Sequence, residues 1–278
     1  MILDGAKVAQ KIRDELKEKI SKEKRAPILT VILVDSEMAG PSKIYVKNKE
    51  KAGKEIGIDV VTISVPKTIK ENELIEFIEA FNQKLYITDG LIVQLPLPKH
   101  IDEHKVLNSI NPKLDVDGFH AINAGLTLAN KDSMIPCTAY GIMRLLEEYN
   151  IDVTGKKVKI INRSMIVGKP LASLMMNKHA TVTILHSKSE NIKSECQTAD
   201  IIITGVGIPN FIKEDYIKEG AIVIDVSINR DENNKLCGDV DFDKVKNKCS
   251  YITPVPGGVG PMTIAMLLEQ TYKAYKNK

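Results

Sequence analysis

Tyr45 and Lys49 lie four residues apart in the run Ser42-Lys43-Ile44-Tyr45-Val46-Lys47-Asn48-Lys49, so a helix through it puts a phenol and an ammonium on one face. Such a pair can address one small molecule: the ammonium stabilises a phenolate, and a partly desolvated ammonium gives up its proton more readily than one in water. Near neutral pH that lysine can shuttle protons. The competing reading is a solvated helix face, because Lys43, Lys47, Lys51 and Lys54 crowd the same region.

Gln94 falls near the end of the apolar run Gly90-Leu91-Ile92-Val93-Gln94-Leu95, and Pro96 and Pro98 stop that strand and fix the loop after it. A glutamine there is either structural or a ligand contact, and both readings stand. In Asn111-Pro112-Lys113-Leu114-Asp115-Val116-Asp117-Gly118-Phe119 two carboxylates are two residues apart. One aspartate can cap the following turn. A buried Asp117 instead needs a donor, such as an amino-bearing heterocycle.

In the second half, a strand at 157–161 runs into Asn162-Arg163-Ser164-Met165-Ile166-Val167-Gly168, and Lys169-Pro170 opens a helix with proline in a permitted first-turn position. Strand, tight loop and helix start predict an anion site. Gly168 is the only glycine there, so the Gly-x-Gly-x-x-Gly fingerprint is absent. The next strand, 180–185, ends in His186-Ser187, where an acidic residue would hold the ribose 2′-hydroxyl of NAD. Arg163 and Ser187 suit a 2′-phosphate instead, which favours NADP. His186 can equally be a histidine satisfied at a strand end.

Those residues need elements to hold them. Val8, Ile12, Leu16 and Ile20 predict an amphipathic helix over 6–22. Apolar runs predict strands at 28–34, 59–65 and 90–95, with a loop at 35–41, the Ser42 helix, and a helix at 71–81. A helix over 139–149 takes Thr138 as its N-cap. Two more strands, 200–204 and 221–226, run into the turns Gly205-Val206-Gly207-Ile208-Pro209 and Ser227-Ile228-Asn229, where carboxyl-end turns line a cofactor crevice. Residues 253–263, with Gly257 and Gly258 between prolines, predict a loop that brings backbone close to a ligand before a closing helix. Alternating strands and helices mean parallel βαβ units. The expected fold is therefore α/β, with two α/β domains, the C-terminal one Rossmann-like with a parallel sheet, and a cleft between them. The expected domains are 1–120, completed by 262–278, and 121–261.

A length of 278 residues fits two domains better than one core. A net charge of +3, with lysines interleaved among glutamates, argues against a nucleic-acid partner. Neither a signal-peptide pattern nor a membrane-length apolar run is present, so a cytoplasmic protein with no membrane partner is expected. Cys137, Cys196, Cys237 and Cys249 are irregularly spaced and read as buried small hydrophobes, with no metal site or disulfide framework.

Taken in order, the stretches 42–49, 89–98, Asp115-Val116-Asp117-Gly118, Pro136-Cys137-Thr138, Arg163-Ser164 with Ile166-Val167-Gly168 and Pro170, His186-Ser187, and 254–263 resemble the bifunctional methylenetetrahydrofolate dehydrogenase/cyclohydrolase family across nearly the whole chain. The resemblance implies NADP-dependent oxidation of 5,10-methylenetetrahydrofolate, then hydrolysis of the methenyl product to 10-formyltetrahydrofolate. By the same resemblance Lys49 transfers the proton of the hydrolysis, Tyr45 positions the folate, Gln94 tunes Lys49 and Asp117 binds the pterin. Val93, Leu95, Pro256, Gly257, Gly258, Pro261 and Thr263 line the tetrahydrofolate pocket, while Asn162, Arg163, Ser164, His186, Ser187 and Ile228 hold NADP. It also implies a folate-binding domain over 1–120, an NADP-binding domain over 121–261, and a homodimer built on the latter. The chain departs from the family pattern at Asn162 and Ser227, where glycine is usual, at Ala139, where a second proline is usual, and in a longer 35–41 segment. A short-chain dehydrogenase shares the Tyr-x-x-x-Lys spacing, but there the pair follows the nucleotide-binding glycines; here it precedes the nucleotide block. Retention of only one of the two activities is the other alternative.

Overall fold

The computed structural model describes residues 1–35 and 39–277. Part of the expected 35–41 loop lies outside them, and the helix after it already begins at Ala39. The chain divides into two compact units. The first comprises Lys11–Leu126, Asp132–Cys137 and Ile264–Lys278; the second comprises Met1–Gln10, Thr127–Lys131 and Thr138–Thr263. Residues 1–10 thus group with the second unit, not with the 1–120 block expected from the sequence.

Helix α1 (Gly5–Ile20) buries Val8, Ile12, Leu16 and Ile20, as their spacing requires. Then come β1 (Ile28–Asp35), α2 (Ala39–Ile56), β2 (Asp59–Pro66), α3 (Glu71–Asn82), β3 (Gly90–Val93), α4 (Glu103–Ser109) and α5 (Ala121–Leu128). The strands form a parallel sheet in the order β2-β1-β3, which requires crossover connections, and α2 and α3 supply them. Ile32, Val34, Leu74, Ile78, Phe81, Leu91 and Val93 make the core beside this sheet. Each such side chain contributes about 1.5–3 kcal/mol when fully buried. Strand β3 stops at Val93, two residues earlier than expected, but the Gln94 N–H still donates to the Ile32 carbonyl at 2.9 Å. That bond ties the residue after the strand to the sheet.

The second unit is built on α6 (Cys137–Glu148), β4 (Lys157–Ile161), α7 (Gly168–Asn177), β5 (Thr181–Leu185), α8 (Ile192–Gln197), β6 (Ile201–Thr204), β7 (Ile222–Asp225), the hairpin β8 (Asn229–Arg230) and β9 (Leu236–Cys237), α9 (Phe242–Val245), β10 (Tyr251–Ile252) and the first turn of α10 (Val259–Lys276), a helix that belongs to the first unit from Ile264 onward. Its five-stranded sheet is parallel, in the order β10-β7-β6-β4-β5. From β4 the chain moves outward to β5, then returns to the other side of β4 with β6. The strand order therefore reverses between β4 and β6, and in such folds ligands gather at the carboxyl ends beside that reversal.

Three local expectations change. Helix α6 starts at Cys137, so Thr138 is not an N-cap; its Oγ1 lies 3.2 Å from Thr263 Oγ1. Helix α10 starts at Val259, which confines the glycine-rich loop to 253–258. The glycines there answer to protein neighbours: Ala6 N–H donates to the Gly257 carbonyl at 2.9 Å, and Gly5 lies so close to Gly258 that a Cβ would overlap its carbonyl oxygen. Ile2 pairs in parallel with Ile252, which fastens the chain start to the edge of the larger sheet. No described helix is long and apolar enough to cross a membrane.

Because the atom facing Gly5 is backbone and cannot rotate away, Gly5→Ala is expected to destabilise the protein by about 1–3 kcal/mol. Urea unfolding reads this, and an unchanged midpoint would contradict the packing described.

Candidate active site

Lys49 is buried, only 9% exposed, although it sits on a helix whose other lysines at 43, 47, 51 and 54 are exposed. Its Nζ donates to Gln94 Oε1 at 3.0 Å, and Gln94 Nε2 donates to the Leu95 carbonyl at 2.8 Å. Using the NH₂ group on Leu95 turns the carboxamide oxygen toward the ammonium. Val93 is buried in β3 and Leu95 is half-buried, so both flank the glutamine. Tyr45, one turn before Lys49, is 43% exposed and has no side-chain hydrogen bond among the described residues. Helical spacing gives the pair a common face, and burial separates their roles.

The two aspartates of the 111–119 turn divide the two roles open to them. Asp115 is the turn former: Oδ1 accepts from the Gly118 and Phe119 N–H groups at 3.1 and 3.2 Å, and Oδ2 accepts from His120 N–H and Asn123 Nδ2 at 2.8 Å each. That leaves Asp117 outside the turn's own bonds. Burial pushes the Asp117 carboxyl above the usual carboxylate range, against the pull of the nearby Lys49 charge and a hydrogen bond from Cys137. Lys49, Gln94 and Asp117 are therefore in one electrostatic neighbourhood.

Two residues that sequence reasoning passed over complete it. Cys137 is buried, but it is more than a small hydrophobe. Burial first, and the Asp117 charge second, push its thiol well up, so it stays protonated, and its Sγ donates to the Val116 carbonyl at 3.3 Å. Gln270, buried in α10, donates Nε2 to the Val116 and Ile135 carbonyls at 2.7 and 2.9 Å and accepts the Ile135 N–H at 2.7 Å. This carboxamide fixes the backbone on both sides of the Asp117–Cys137 contact. Pro136-Cys137-Thr138 was a visible signal for the first; nothing local marks the second.

In the second unit the residues proposed for the cofactor stand at carboxyl ends of β4, β5 and β7. Arg163, Ser187 and Ile228 are exposed. Asn162 turns inward: its Oδ1 accepts from Ser164 N–H and Oγ at 2.8 Å each and from Gly168 N–H at 3.1 Å, and its Nδ2 donates to the Gly205 carbonyl at 2.6 Å. Ser164 Oγ also accepts from Val167 N–H at 3.1 Å. The Gly168 N–H at the start of α7 is thus taken by Asn162, and the Lys169 N–H by the Ser164 carbonyl at 3.0 Å, so the anion site expected there turns on the exposed Arg163. His186 Nδ1 accepts from Lys188 N–H at 3.2 Å, a strand-end histidine with a local partner. The Arg163 guanidinium and the Ser187 hydroxyl, both exposed and with no carboxylate at 186–187 directly after β5, are the donor set that a nucleotide carrying an extra phosphate needs, so these residues fit NADP. Pro256 is exposed, Gly257 has φ +105°, Gly258 is buried, and Pro261 and Thr263 lie half-buried in the first turns of α10.

Residues 3–117 match the tetrahydrofolate dehydrogenase/cyclohydrolase catalytic domain, and residues 136–278 match the NAD(P)-binding domain of the same family. The chain belongs to the tetrahydrofolate dehydrogenase/cyclohydrolase family. It is 50% identical to the bifunctional protein FolD of Campylobacter hominis over 280 residues, covering 100% of this chain and 98% of that one. Among solved structures it is similar to the bifunctional FolD methylenetetrahydrofolate dehydrogenase/cyclohydrolase of Campylobacter jejuni, with TM-score 0.96, 46% identity, and coverage of 100% and 99% of the two chains. The FolD of Trypanosoma brucei, solved with NADP cofactor and an inhibitor, gives TM-score 0.93 and 34% identity, covering 100% of this chain and 97% of that one. The two departures from the family pattern at loop positions now have a physical account. Asn162 braces its loop as described, and Ser227 Oγ donates to Asp239 Oδ2 at 2.8 Å while accepting from Gly207 N–H at 3.2 Å.

Asp225, at the end of β7, is buried beside Asp239, and burial pushes its carboxyl up to about 7. A free aspartate titrates near about 4, so between about pH 4 and 7 the unfolded chain holds fewer protons at this site than the folded one. Folding stability must therefore fall with rising pH across that window on account of this group, by at most about 1.4 kcal/mol per pH unit. Asp225→Asn is expected to flatten that part of the pH dependence in guanidinium unfolding; a slope equal to wild type would contradict the shift.

Proposed function

We infer that the chain oxidises 5,10-methylenetetrahydrofolate to 5,10-methenyltetrahydrofolate with NADP⁺ and hydrolyses the product to 10-formyltetrahydrofolate. The observation that carries this is a buried Lys49 amine held at 3.0 Å by Gln94 and sensed electrostatically by Asp117. NADP⁺, when bound, supplies the hydride acceptor for the first reaction.

Everything else falls to the side chains. Lys49 relays the proton as water adds to the methenyl carbon and the ring opens, the work of a positioned general acid and base. Gln94 presents a neutral acceptor, so it orients the amine without trapping it in an ion pair. Asp117 accepts hydrogen bonds from the amino-bearing edge of the pterin, and a donor-rich edge is what a desolvated carboxyl requires. Tyr45, exposed one turn from Lys49, packs on the folate, with Val93, Leu95, Pro256, Gly257, Gly258, Pro261 and Thr263 as further folate contacts. Arg163, Ser164, Ser187 and Ile228 hold NADP, supported by Asn162 and His186. The folate domain corresponds to the first compact unit and the NADP domain to the second. The finer assignments are a cytoplasmic homodimer without nucleic-acid or membrane partners; light scattering giving a monomer mass would remove the dimer.

Lys49→Met keeps an apolar stem and removes the amine, so methenyl hydrolysis is expected to fall by about a hundredfold or more. Absorbance of the methenyl species reads the hydrolysis directly. Wild-type hydrolysis by this variant would take Lys49 out of its role, and activity of the wild-type chain on simple alcohols without folate would favour a short-chain-type oxidoreductase.

A further inference from the structure

Six hydrogen bonds converge on the fully buried carboxylate of Asp239. Its Oδ1 accepts from the Gly207 and Ile208 N–H groups and from Asn229 Nδ2, each at 3.0 Å. Its Oδ2 accepts from Val206 N–H at 2.7 Å, Ser227 Oγ at 2.8 Å and Thr204 Oγ1 at 3.0 Å. Successive N–H groups of Val206, Gly207 and Ile208, with Gly207 at φ +78°, make a concave nest of the kind that binds anions. The anion in it is the protein's own. A phosphate therefore finds these three N–H groups already used and must be met by side chains elsewhere.

The same carboxylate reaches the next turn through Ser227 and Asn229, the residues on either side of Ile228. Ile228 itself is 47% exposed. A loop pinned on both flanks of one exposed side chain has little freedom to move that side chain. Each pin is a hydrogen bond to a buried charged group, stronger than a neutral one and costly to leave unmade.

We propose that Asp239 is a positioning residue for the nicotinamide cofactor: acting as a fixed internal anion, it locks the turns after β6 and β7 to each other and so sets where Ile228 stands. The proposal rests on the assignment of NADP to this unit. It assigns Asp239 no contact with the cofactor; the effect passes through Ser227 and Asn229. In Asp239→Asn the shape is kept, but an NH₂ group is turned against donors, so at least one turn must let go.

The test is a fluorescence titration of NADPH into the full chain as wild type, Asp239→Asn and Asn229→Ala, with thermal melting as a check on folding. Methenyl hydrolysis, which has no redox step, serves as the control activity. NADPH affinity is expected to fall about tenfold in Asp239→Asn and about threefold in Asn229→Ala, with hydrolysis within about twofold of wild type. In the dehydrogenase assay the KM for NADP⁺ should rise while that for the folate holds. If Asp239→Asn does not fold, Ser227→Ala and Asn229→Ala carry the test, since each removes one pin from a half-buried turn. Affinities within about twofold of wild type in every folded variant would overturn the proposal. A wild-type chain that binds NADPH with the expected variant pattern yet turns over no folate would overturn the proposed function and leave this inference standing. A chain that hydrolyses the methenyl folate but binds no NADPH would overturn the inference together with the oxidation step and leave the hydrolysis standing.

Discussion

A primary amine taken out of water must be given partners, because an unpaired buried ammonium costs several kcal/mol. In this protein that amine is Lys49, and much of the first unit is arranged around it. The partner in direct contact is the carboxamide oxygen of Gln94, while the Asp117 carboxyl, which burial pushes above the usual carboxylate range, feels the Lys49 charge at longer range. A neutral first partner orients the amine without closing an ion pair on it. Gln94 is held by the β1 backbone through its own N–H, and Asp117 is presented by a turn that Asp115 closes. The sheet and the turn thus act as fixtures for one side chain.

The second unit follows the same logic with different groups. Asn162 joins the turn after β4 to the turn after β6, and Asp239 joins the turn after β6 to the turn after β7. Turns at the carboxyl ends of parallel strands are where a nucleotide lies in this fold, and turns are ordinarily its most mobile parts. Buried, fully bonded polar side chains at their bases are what keep such turns in register. The buried pair Asp225 and Asp239 shows what this costs. One carboxylate is satisfied by six donors, while burial first, and the Asp239 charge as a lesser cause, push its neighbour Asp225 up to about 7.

Much of this was legible in the sequence, and the boundary of legibility is physical. The four-residue spacing of Val8, Ile12, Leu16 and Ile20 announces α1, and the β-branched run at 28–34 announces β1, because helical and extended periods are local properties. Lys49 and Gln94 could be proposed from where they fall relative to a helix and a strand end, and the turn 111–119 offered a capping role for one of its two aspartates. What stayed hidden are contacts set by the tertiary fold. Gln270 reaches Val116 across 154 residues, and Asp239 gathers donors from two turns that precede it in sequence. The same reason accounts for the misplaced pieces. Residues 1–10 join the second unit through Ile2 pairing with Ile252, and Thr138 finds Thr263 instead of capping its helix. The loop at 257 and 258 lies against the start of α1, and the glycine that permits this approach is Gly5, which the sequence did not mark.

The most direct test of the central claim is a ¹³C NMR titration of the Asp117 carboxyl in the wild-type protein and in Lys49→Met. If the buried amine and this carboxyl share one electrostatic neighbourhood, Asp117 titrates above the usual carboxylate range in the wild type and moves higher still once the Lys49 charge is gone. An Asp117 that titrates as an ordinary surface aspartate, or whose titration is unmoved by the loss of Lys49, would contradict the account.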